Sequence, residues 1–172
     1  TTGWTWYLDP IDGTQAYARG VPLYGTLVGA TLDGESQIGV ILLPALGEAV
    51  HAAKGAGALW ERETLSVKPR IQSARVSSVP TLEQALFCTT YGKYFNQLPE
   101  LTAATQVARG WGDCYGYALV ATGRAEVMLD PILAPWDAGP MPVLLAEAGG
   151  RYTCWQGSTR LDAGSGVATN GR

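Results

Sequence analysis

The pattern of apolar and polar positions changes in character partway along the chain. In the first part, apolar runs rich in Val, Ile, Leu and Thr alternate with turn sequences such as Asp33-Gly34, which is typical of an antiparallel meander. The stretch from 63 to 80 is polar and has no clear periodicity, so no element is predicted there. The pattern predicts strands over residues 4–8, 22–32, 37–43, 48–54 and 58–61.

Beyond residue 80, short apolar runs alternate with helical patterns. From Cys114 onward, apolar side chains recur at the i, i+3, i+4 and i+7 positions of a helix, and Gly123 is a typical stop. A meander followed by such an alternation predicts a layered α+β or α/β sandwich. The predicted strands cover 84–89, 105–108, 125–129, 151–154 and 166–169, and the predicted helices cover 94–104, 113–122 and 137–148.

Composition and charge exclude several classes of protein. Of the 172 residues, 47% are hydrophobic and 16% are charged, which excludes disorder and coiled coil and predicts a buried core. The length predicts one domain, or two half-domains that share a sheet system. The net charge is −3, and Lys and Arg are scattered, so a nucleic-acid or anionic-membrane partner is not expected. No apolar run approaches the roughly 20 residues that span a bilayer. A small phosphorylated substrate is compatible if a metal ion supplies the positive charge.

The cysteines and the single histidine do not indicate a reactive site. Cys88, Cys114 and Cys154 are far apart and lack Cys-x-x-Cys spacing, which predicts neither a disulfide framework nor a zinc knuckle. Reduced thiols in a cytoplasmic protein are the simplest interpretation. His51 lies in an ordinary strand pattern and is interpreted as a structural or surface residue rather than as part of a catalytic triad.

The segment DPIDGT, which begins at Asp9, is the most informative in the chain. Its two carboxylates, on Asp9 and Asp12, lie three positions apart in a bent turn, so both can converge on one point with the Ile11 carbonyl between them. Mg²⁺ prefers such oxygen ligands. Gly13 allows close backbone approach, and Thr14 offers a hydroxyl and an N–H to a phosphate oxygen or a water. The alternative is a plain turn, since Asp, Pro and Gly are common turn formers.

The segment PWDAG, with Asp137 at its centre, precedes an apolar run with a helical pattern. One interpretation is that Asp137 only caps this helix, as Asp often does. The other is that it faces the first segment and supplies a further metal carboxylate, while the helix N-terminus favours anions. The position of Asp137 in the sequence is compatible with both interpretations.

Together the two segments resemble the signatures of the inositol monophosphatase superfamily of Mg²⁺-dependent, lithium-sensitive phosphatases. DPIDGT at 9–14 matches the first signature, WDAG at 136–139 matches the second, and EAGG follows at 147–150. The resemblance extends over the whole chain. It implies an α+β fold, a layered αβαβα sandwich with an antiparallel N-terminal sheet and a mixed C-terminal sheet. It also implies a single catalytic domain whose two halves are 1–80 and 81–172.

The resemblance also implies Mg²⁺-dependent hydrolysis of a phosphate monoester. Asp9, the Ile11 carbonyl and Asp12 are then metal ligands, and Asp137 completes a second metal site. Asp9, Asp12 and Thr14 are the implied catalytic residues, with Thr14 orienting the attacking water. The residues implied to contact phosphate or substrate are Ile11, Asp12, Gly13, Thr14, Gly112, Asp113, Cys114, Asp130 and Asp137.

Within the superfamily, GDCYGY at 112–117 looks most like the histidinol-phosphatase branch. Asp130 stands where the family places a carboxylate for substrate hydroxyl or amine groups. Asp113 and Asp130 would then offer two anions to an amine such as that of histidinol. The alternatives are a helix N-cap for Asp113 and a strand-end turn for Asp130. For Arg109, contact with substrate and contact with a dimer partner both stay open.

The implied activity is release of phosphate from L-histidinol phosphate by a cytoplasmic homodimer. Inositol 1-phosphate or another small phosphomonoester is an alternative substrate. A metal- and phosphate-binding module without turnover is the alternative from another class. The family's upstream helix with a Glu ligand and an acidic partner, and its C-terminal strand and helix, have no counterpart in this sequence. We therefore expect the chain to be the catalytic middle part of a longer enzyme.

Overall fold

The computed structural model describes residues 2–63, 69–90, 92–94 and 96–172, and its first sheet is an antiparallel meander. Each of its six strands pairs with the next along the chain, so the sheet order equals the chain order. A four-residue helix, α1 (Thr14–Tyr17), follows the first strand. The strands are β1 (Trp4–Asp12), β2 (Gly25–Leu32), β3 (Glu35–Leu43), β4 (Glu48–Ala53), β5 (Gly57–Arg62) and β6 (Arg70–Ser73).

The second sheet is mixed and has the order β10-β11-β9-β7-β8. The three strands β8, β7 and β9 are parallel, whereas β11 and β10 are antiparallel to their neighbours. One antiparallel and one mixed sheet confirm the predicted α+β class. The strands are β7 (Leu86–Thr89), β8 (Val107–Arg109), β9 (Val127–Asp130), β10 (Arg151–Thr153) and β11 (Gly166–Thr169).

Helices lie between the two sheets and bury the core. They are α3 (Asp113–Ala121), α4 (Pro135–Ala138) and α5 (Met141–Glu147), whereas α2 (Leu98–Ala104), between β7 and β8 in the chain, has no buried residue. Helix α4 contacts β1 and β2, α5 contacts β3, β4 and β10, and α3 contacts β9 and β2. Their buried apolar side chains join those of both sheets in one cluster. No helix in the described part of the chain combines the length and the apolar character that a bilayer crossing requires.

The first strand is longer than predicted, and the expected turn after residue 8 is partly wrong. β1 continues to Asp12, which pairs with Gly25, and its register shifts between Asp9 and Asp12. Such a bulge at a sheet edge accommodates a proline and turns side chains out of the regular alternation. The chain direction changes only at Gly13, whose φ of +77° lies in the left-handed region that glycine tolerates.

The predicted helix over 137–148 is wrong, because two short helices replace it. Pro140 stands between α4 and α5 and lacks the N–H that a continuous helix would need there. Asp137 is the third residue of α4 and not its N-cap, which is Ala134. The apolar run continues through the break, so the apolar pattern gave no sign of it.

The junction between α4 and α5 rests directly on the backbone of the first sheet. Gly29 and Gly39 are cross-strand partners in β2 and β3. A Cβ on Gly29 would lie 2.4 Å from the carbonyl carbon of Gly139, and a Cβ on Gly39 would lie 2.4 Å from the carbonyl oxygen of Pro140. Because both sheet residues lack a side chain, α4 can approach closely enough to bring Asp137 to the end of β1.

Other predicted elements differ from the structure at their ends. Strand β6 lies in the polar stretch where no element was predicted, and residues 64–68 of that stretch are outside the described residues. The helix predicted over 94–104 is α2 alone, preceded by a 3-10 helix at Gly92–Tyr94, and position 95 is not described. Strand β2 begins at 25 instead of 22, β8 covers 107–109 instead of 105–108, and β9 includes residue 130.

Candidate active site

A cavity of about 380 Å³ opens where β1, α3, β9 and α4 meet. It brings together nine of the ten residues predicted for the site. Ile11 does not line it, and the role of its carbonyl as a metal ligand stays a prediction. We call this space the acidic cavity, and the predicted residues that line it are Asp9, Asp12, Gly13, Thr14, Gly112, Asp113, Cys114, Asp130 and Asp137.

Three carboxylates converge on one side of the acidic cavity. Asp9, Asp12 and Asp137 each place one oxygen within 4.8 Å of the other two, and we call them the carboxylate cluster. Asp9 Oδ1 accepts the backbone N–H of Ile11 at 2.9 Å, a contact that the bulge in β1 makes possible. This geometry agrees with the interpretation in which the segment of Asp137 faces the segment that begins at Asp9.

Asp12 is held by the helix on the opposite side of the cavity. Its Oδ2 accepts the backbone N–H of Cys114 in the first turn of α3. Burial raises the pKa of Asp12, and the hydrogen bond with Cys114 opposes this effect only in part. Asp12 thus carries its charge at a cost that a nearby positive charge would remove.

Asp137 combines a structural contact with an unused oxygen. Its carboxylate accepts the backbone N–H of Ala134 at 3.1 Å and so stabilises the start of α4. Its Oδ1 is buried and has no hydrogen-bond partner among the described residues. Burial, followed by a hydrogen bond with Asp9, raises the pKa of Asp137 to about 7.

These observations fit a divalent cation in the carboxylate cluster. Burial, with a smaller contribution from the repulsion between these close carboxylates, raises the pKa values of Asp12 and Asp137, so ionisation of the cluster is costly without a cation. The buried Asp137 Oδ1 lacks the partner that a buried polar atom normally has. A donor set made only of carboxylate oxygens suits Mg²⁺.

A second pair of carboxylates, Asp113 and Asp130, lies in the same cavity, and we call it the carboxylate pair. Asp130 ends β9 with only 2% of its surface exposed, and its Oδ1 has no hydrogen-bond partner among the described residues. Burial raises the pKa of Asp130 to about 7. Burial, with a smaller effect of Asp12, raises the pKa of Asp113 to about 6. Two acidic groups are therefore available beyond those of the cluster.

Asp113 adopts an unusual backbone conformation. It is the first residue of α3 and not its N-cap, which is Gly112. Its φ of +51° is in the left-handed region, which costs free energy for a residue other than glycine. The backbone N–H of Asp113 donates to Thr90 Oγ1 at 2.8 Å, which holds this conformation.

The acidic cavity includes residues that were not predicted, among them Thr90, Gln15 and Tyr117. Thr90 follows β7, which lies parallel to β9 and beside it. Because the carboxyl ends of adjacent parallel strands meet at one edge of a sheet, the position of Thr90 next to Asp130 follows from the strand pairing. The sequence pattern predicted both strands but not that they are neighbours.

Other residues considered from the sequence lie outside the cavity. His51 Nε2 lies 3.0 Å from Glu61 Oε1 on the first sheet, which agrees with a structural role. The guanidinium of Arg109 donates to the carbonyl of Ala108, and neither interpretation of Arg109 is tested by this contact. Of the three cysteines, Cys88 and Cys154 also lie outside the cavity and Cys114 lines it; all three are buried and free of disulfide bonds.

The metal-free protein is expected to lose stability as the pH rises from about 4 to about 7. Asp113, Asp130 and Asp137 have raised pKa values of about 6, 7 and 7, against 3.8 for an ordinary aspartate. Between these pH values the native state binds more protons than the unfolded state, so a rise in pH favours unfolding. Thermal unfolding in EDTA at pH 5 and pH 8 measures this. Greater stability at pH 8 would contradict the prediction.

The chain is similar to known proteins over its whole length. The model of the inositol monophosphatase family matches residues 1–172. The chain is 36% identical over 167 residues to a histidinol-phosphatase of Chlorobaculum parvum. The aligned region covers 97% of the chain and 63% of that protein. It is 37% identical over 176 residues to a histidinol-phosphatase of Mycobacterium tuberculosis, covering 99% of the chain and 66% of that protein. The chain thus spans just under two thirds of the length of these relatives.

Other relatives and solved structures carry different names. An inositol-1-monophosphatase of Mesorhizobium japonicum is 30% identical over 170 residues, covering 96% of the chain and 62% of that protein. The inositol monophosphatase structure from Anabaena matches with a TM-score of 0.83 at 30% identity, covering 98% of this chain and 70% of that one. The structure of the suhB protein of Bartonella henselae matches with a TM-score of 0.85 at 26% identity. The match covers 98% of this chain and 68% of that one.

Proposed function

Because the chain belongs to the inositol monophosphatase family, we propose that the complete gene product is a Mg²⁺-dependent phosphomonoesterase and that its substrate is L-histidinol phosphate. The observation that carries this proposal is the charge of the acidic cavity. Five aspartates and no Lys, Arg or His occur among the described residues that line it. A phosphate dianion cannot bind in such a cavity unless a cation binds with it.

The carboxylate cluster is the proposed site of that cation. Asp9, Asp12 and Asp137 would hold Mg²⁺, and the contacts with the N–H groups of Ile11, Cys114 and Ala134 keep their oxygens in place. When bound, Mg²⁺ supplies the positive charge that neutralises a phosphate monoester and activates a water molecule.

The residues after Asp12 are proposed to handle the phosphate and the water. Gly13 presents bare backbone to the cavity, since a Cβ there would lie 2.9 Å from the carbonyl oxygen of Leu23. The hydroxyl of Thr14, also in the cavity lining, is proposed to orient the attacking water. No covalent intermediate on a protein side chain is needed in this scheme.

The choice of substrate rests on the carboxylate pair. Asp113 and Asp130 are not needed to hold the cation, and they face the same cavity. Two carboxylates beside the proposed metal site favour a substrate that carries a protonated amine, as L-histidinol phosphate does. The histidinol-phosphatase relatives at 36% and 37% identity support this substrate. As part of the same proposal, the enzyme is cytoplasmic, which the buried cysteines without disulfide bonds support. It is also a homodimer, which the family resemblance supports.

Inositol 1-phosphate is the second candidate substrate. Its hydroxyl groups could donate hydrogen bonds to Asp113 and Asp130, and a relative named inositol-1-monophosphatase is 30% identical. A neutral ring would gain less than an ammonium group from two buried carboxylates.

Phosphate release by the complete gene product tests the proposal. We expect release that requires Mg²⁺ and stops in EDTA, with kcat/KM for L-histidinol phosphate at least roughly tenfold above that for inositol 1-phosphate. The reverse preference would overturn the substrate assignment. Binding of Mg²⁺ without hydrolysis of either substrate would overturn the enzyme assignment in favour of a binding module.

A further inference from the structure

Thr90 connects the two members of the carboxylate pair. Its Oγ1 accepts the backbone N–H of Asp113 at 2.8 Å. Asp130 lies beside Thr90 in the cavity lining; burial raises the pKa of Asp130, and the nearby Thr90 hydroxyl opposes this effect in part. Thr90 also lines the acidic cavity, and nothing in the sequence patterns marked it as functional.

The chemistry of a hydroxyl group fixes the direction of these contacts. A threonine hydroxyl has one proton to donate and two lone pairs that accept. The Asp113 N–H can only donate, so Thr90 must accept from it, and its single proton stays available for Asp130. One side chain therefore accepts from the backbone of Asp113 and keeps a proton free to donate to Asp130, which lies beside it where the parallel strands β7 and β9 end.

Tight packing keeps the Thr90 side chain in this orientation. A Cβ on Gly112 would lie 2.4 Å from Thr90 Oγ1 and 2.5 Å from Thr90 Cα, so no larger residue fits at position 112. Asp113 follows directly in a strained conformation with a φ of +51°. A strained residue persists only where its surroundings hold it.

We infer that Thr90 is a positioning residue that joins Asp113 and Asp130 into one rigid site for the ammonium group of the substrate. This inference rests on the proposed function, because the ammonium group is that of L-histidinol phosphate. Thr90 acts through the two carboxylates: it sets their spacing and directs Asp130 into the cavity. Its removal should weaken binding of the amine and leave the handling of phosphate unchanged.

The neighbouring residue provides a matched control. Thr89, the last residue of β7, is a buried threonine whose Oγ1 has no hydrogen-bond partner among the described residues. Consecutive residues of a strand point to opposite faces, so loss of the Thr89 hydroxyl should not affect the carboxylate pair. Thr89→Val and Thr90→Val remove the same group one position apart.

The test measures KM and kcat of the complete gene product with two substrates, L-histidinol phosphate and the analogue that lacks its amino group. For Thr90→Val we expect KM for L-histidinol phosphate to rise roughly tenfold, with kcat and the KM for the analogue changed by less than about twofold. Thr90→Ser, which keeps the hydroxyl, should restore the KM to near its original value. Thr89→Val should behave like the unaltered protein with both substrates.

Each contrary outcome identifies what fails. If Thr90→Val leaves both KM values unchanged, or impairs both substrates equally, Thr90 is not a positioning residue for the amine. If the unaltered protein treats the two substrates alike, the proposed substrate preference fails before Thr90 is considered. If Thr90→Val does not fold, Thr90→Ala is compared with Thr90→Ser, and an equal KM in these two overturns the inference.

Discussion

Replacement of Asp137 by Asn is expected to abolish Mg²⁺-dependent phosphate release and to leave the fold intact. The variant removes one of the three charges in the carboxylate cluster. A metal ion contributes several kcal/mol to stabilising the transition state, so we expect a loss of roughly a thousandfold or more in kcat/KM. Phosphate release at saturating Mg²⁺ measures the effect.

The stability of the same variant separates loss of the metal from loss of the fold. An Asn side chain keeps an oxygen that accepts the N–H of Ala134. Neutralising one of three close carboxylates relieves repulsion, so metal-free Asp137→Asn should unfold at the same temperature as the unaltered protein or a higher one. The rise in unfolding temperature that Mg²⁺ causes should disappear, because the ligand no longer binds the native state selectively.

Asp162→Asn is the control for this experiment. Asp162 is exposed and pairs with Arg160 at 3.0 Å, away from the acidic cavity. This variant should keep both its activity and its stabilisation by Mg²⁺. Retention of Mg²⁺-dependent activity by Asp137→Asn would show that the carboxylate cluster is not the metal site.

Replacement of Gly29 by Ala is expected to destabilise the protein by about 3 kcal/mol. The new Cβ would lie 2.4 Å from the carbonyl carbon of Gly139 and 2.7 Å from the nitrogen of Pro140. These are backbone atoms that no rotamer change can move, so the junction of α4 and α5 must shift away from the sheet. The free energy of unfolding in urea measures the loss.

The displacement of the α4–α5 junction in Gly29→Ala should also move the carboxylate cluster, because Asp137 lies in α4. We expect weaker stabilisation by Mg²⁺ in Gly29→Ala than in the unaltered protein. Gly110→Ala is the stability control, because a Cβ at Gly110 would meet nothing within 4 Å. Equal free energies of unfolding for the two variants would contradict the close packing of α4–α5 on β2.

The parts of the fold that follow from local pattern were predictable from the sequence. Strand β11 has the predicted bounds of 166–169, and the turn Asp33-Gly34 correctly separates β2 from β3. The carboxylates of Asp9, Asp12 and Asp137 were recognised as one group because two motifs with known spacing carry them. The structure adds that all three oxygens lie close together.

The features that depend on contacts between distant segments were not predictable in the same way. The break at Pro140 has a local cause that the continuous apolar pattern outweighed in the prediction, but the docking of this junction on Gly29 and Gly39 is a contact between distant segments. Thr90 belongs to the site because β7 pairs with β9, which no local pattern shows. The left-handed conformation of Asp113 is accompanied by a hydrogen bond to the hydroxyl of Thr90, a residue of a different segment, which no local pattern shows either.

The hydrogen bond from the Cys114 N–H to Asp12 has a consequence for folding. It joins positions 102 residues apart in the chain, and the proposed metal ligands Asp12 and Asp137 are separated by a still longer segment. Closing such long loops costs conformational entropy that only a completed set of contacts recovers. Mg²⁺ affinity therefore reports whether the meander and the mixed sheet have docked. During refolding, high-affinity metal binding should appear only in the last step, after both sheets have formed.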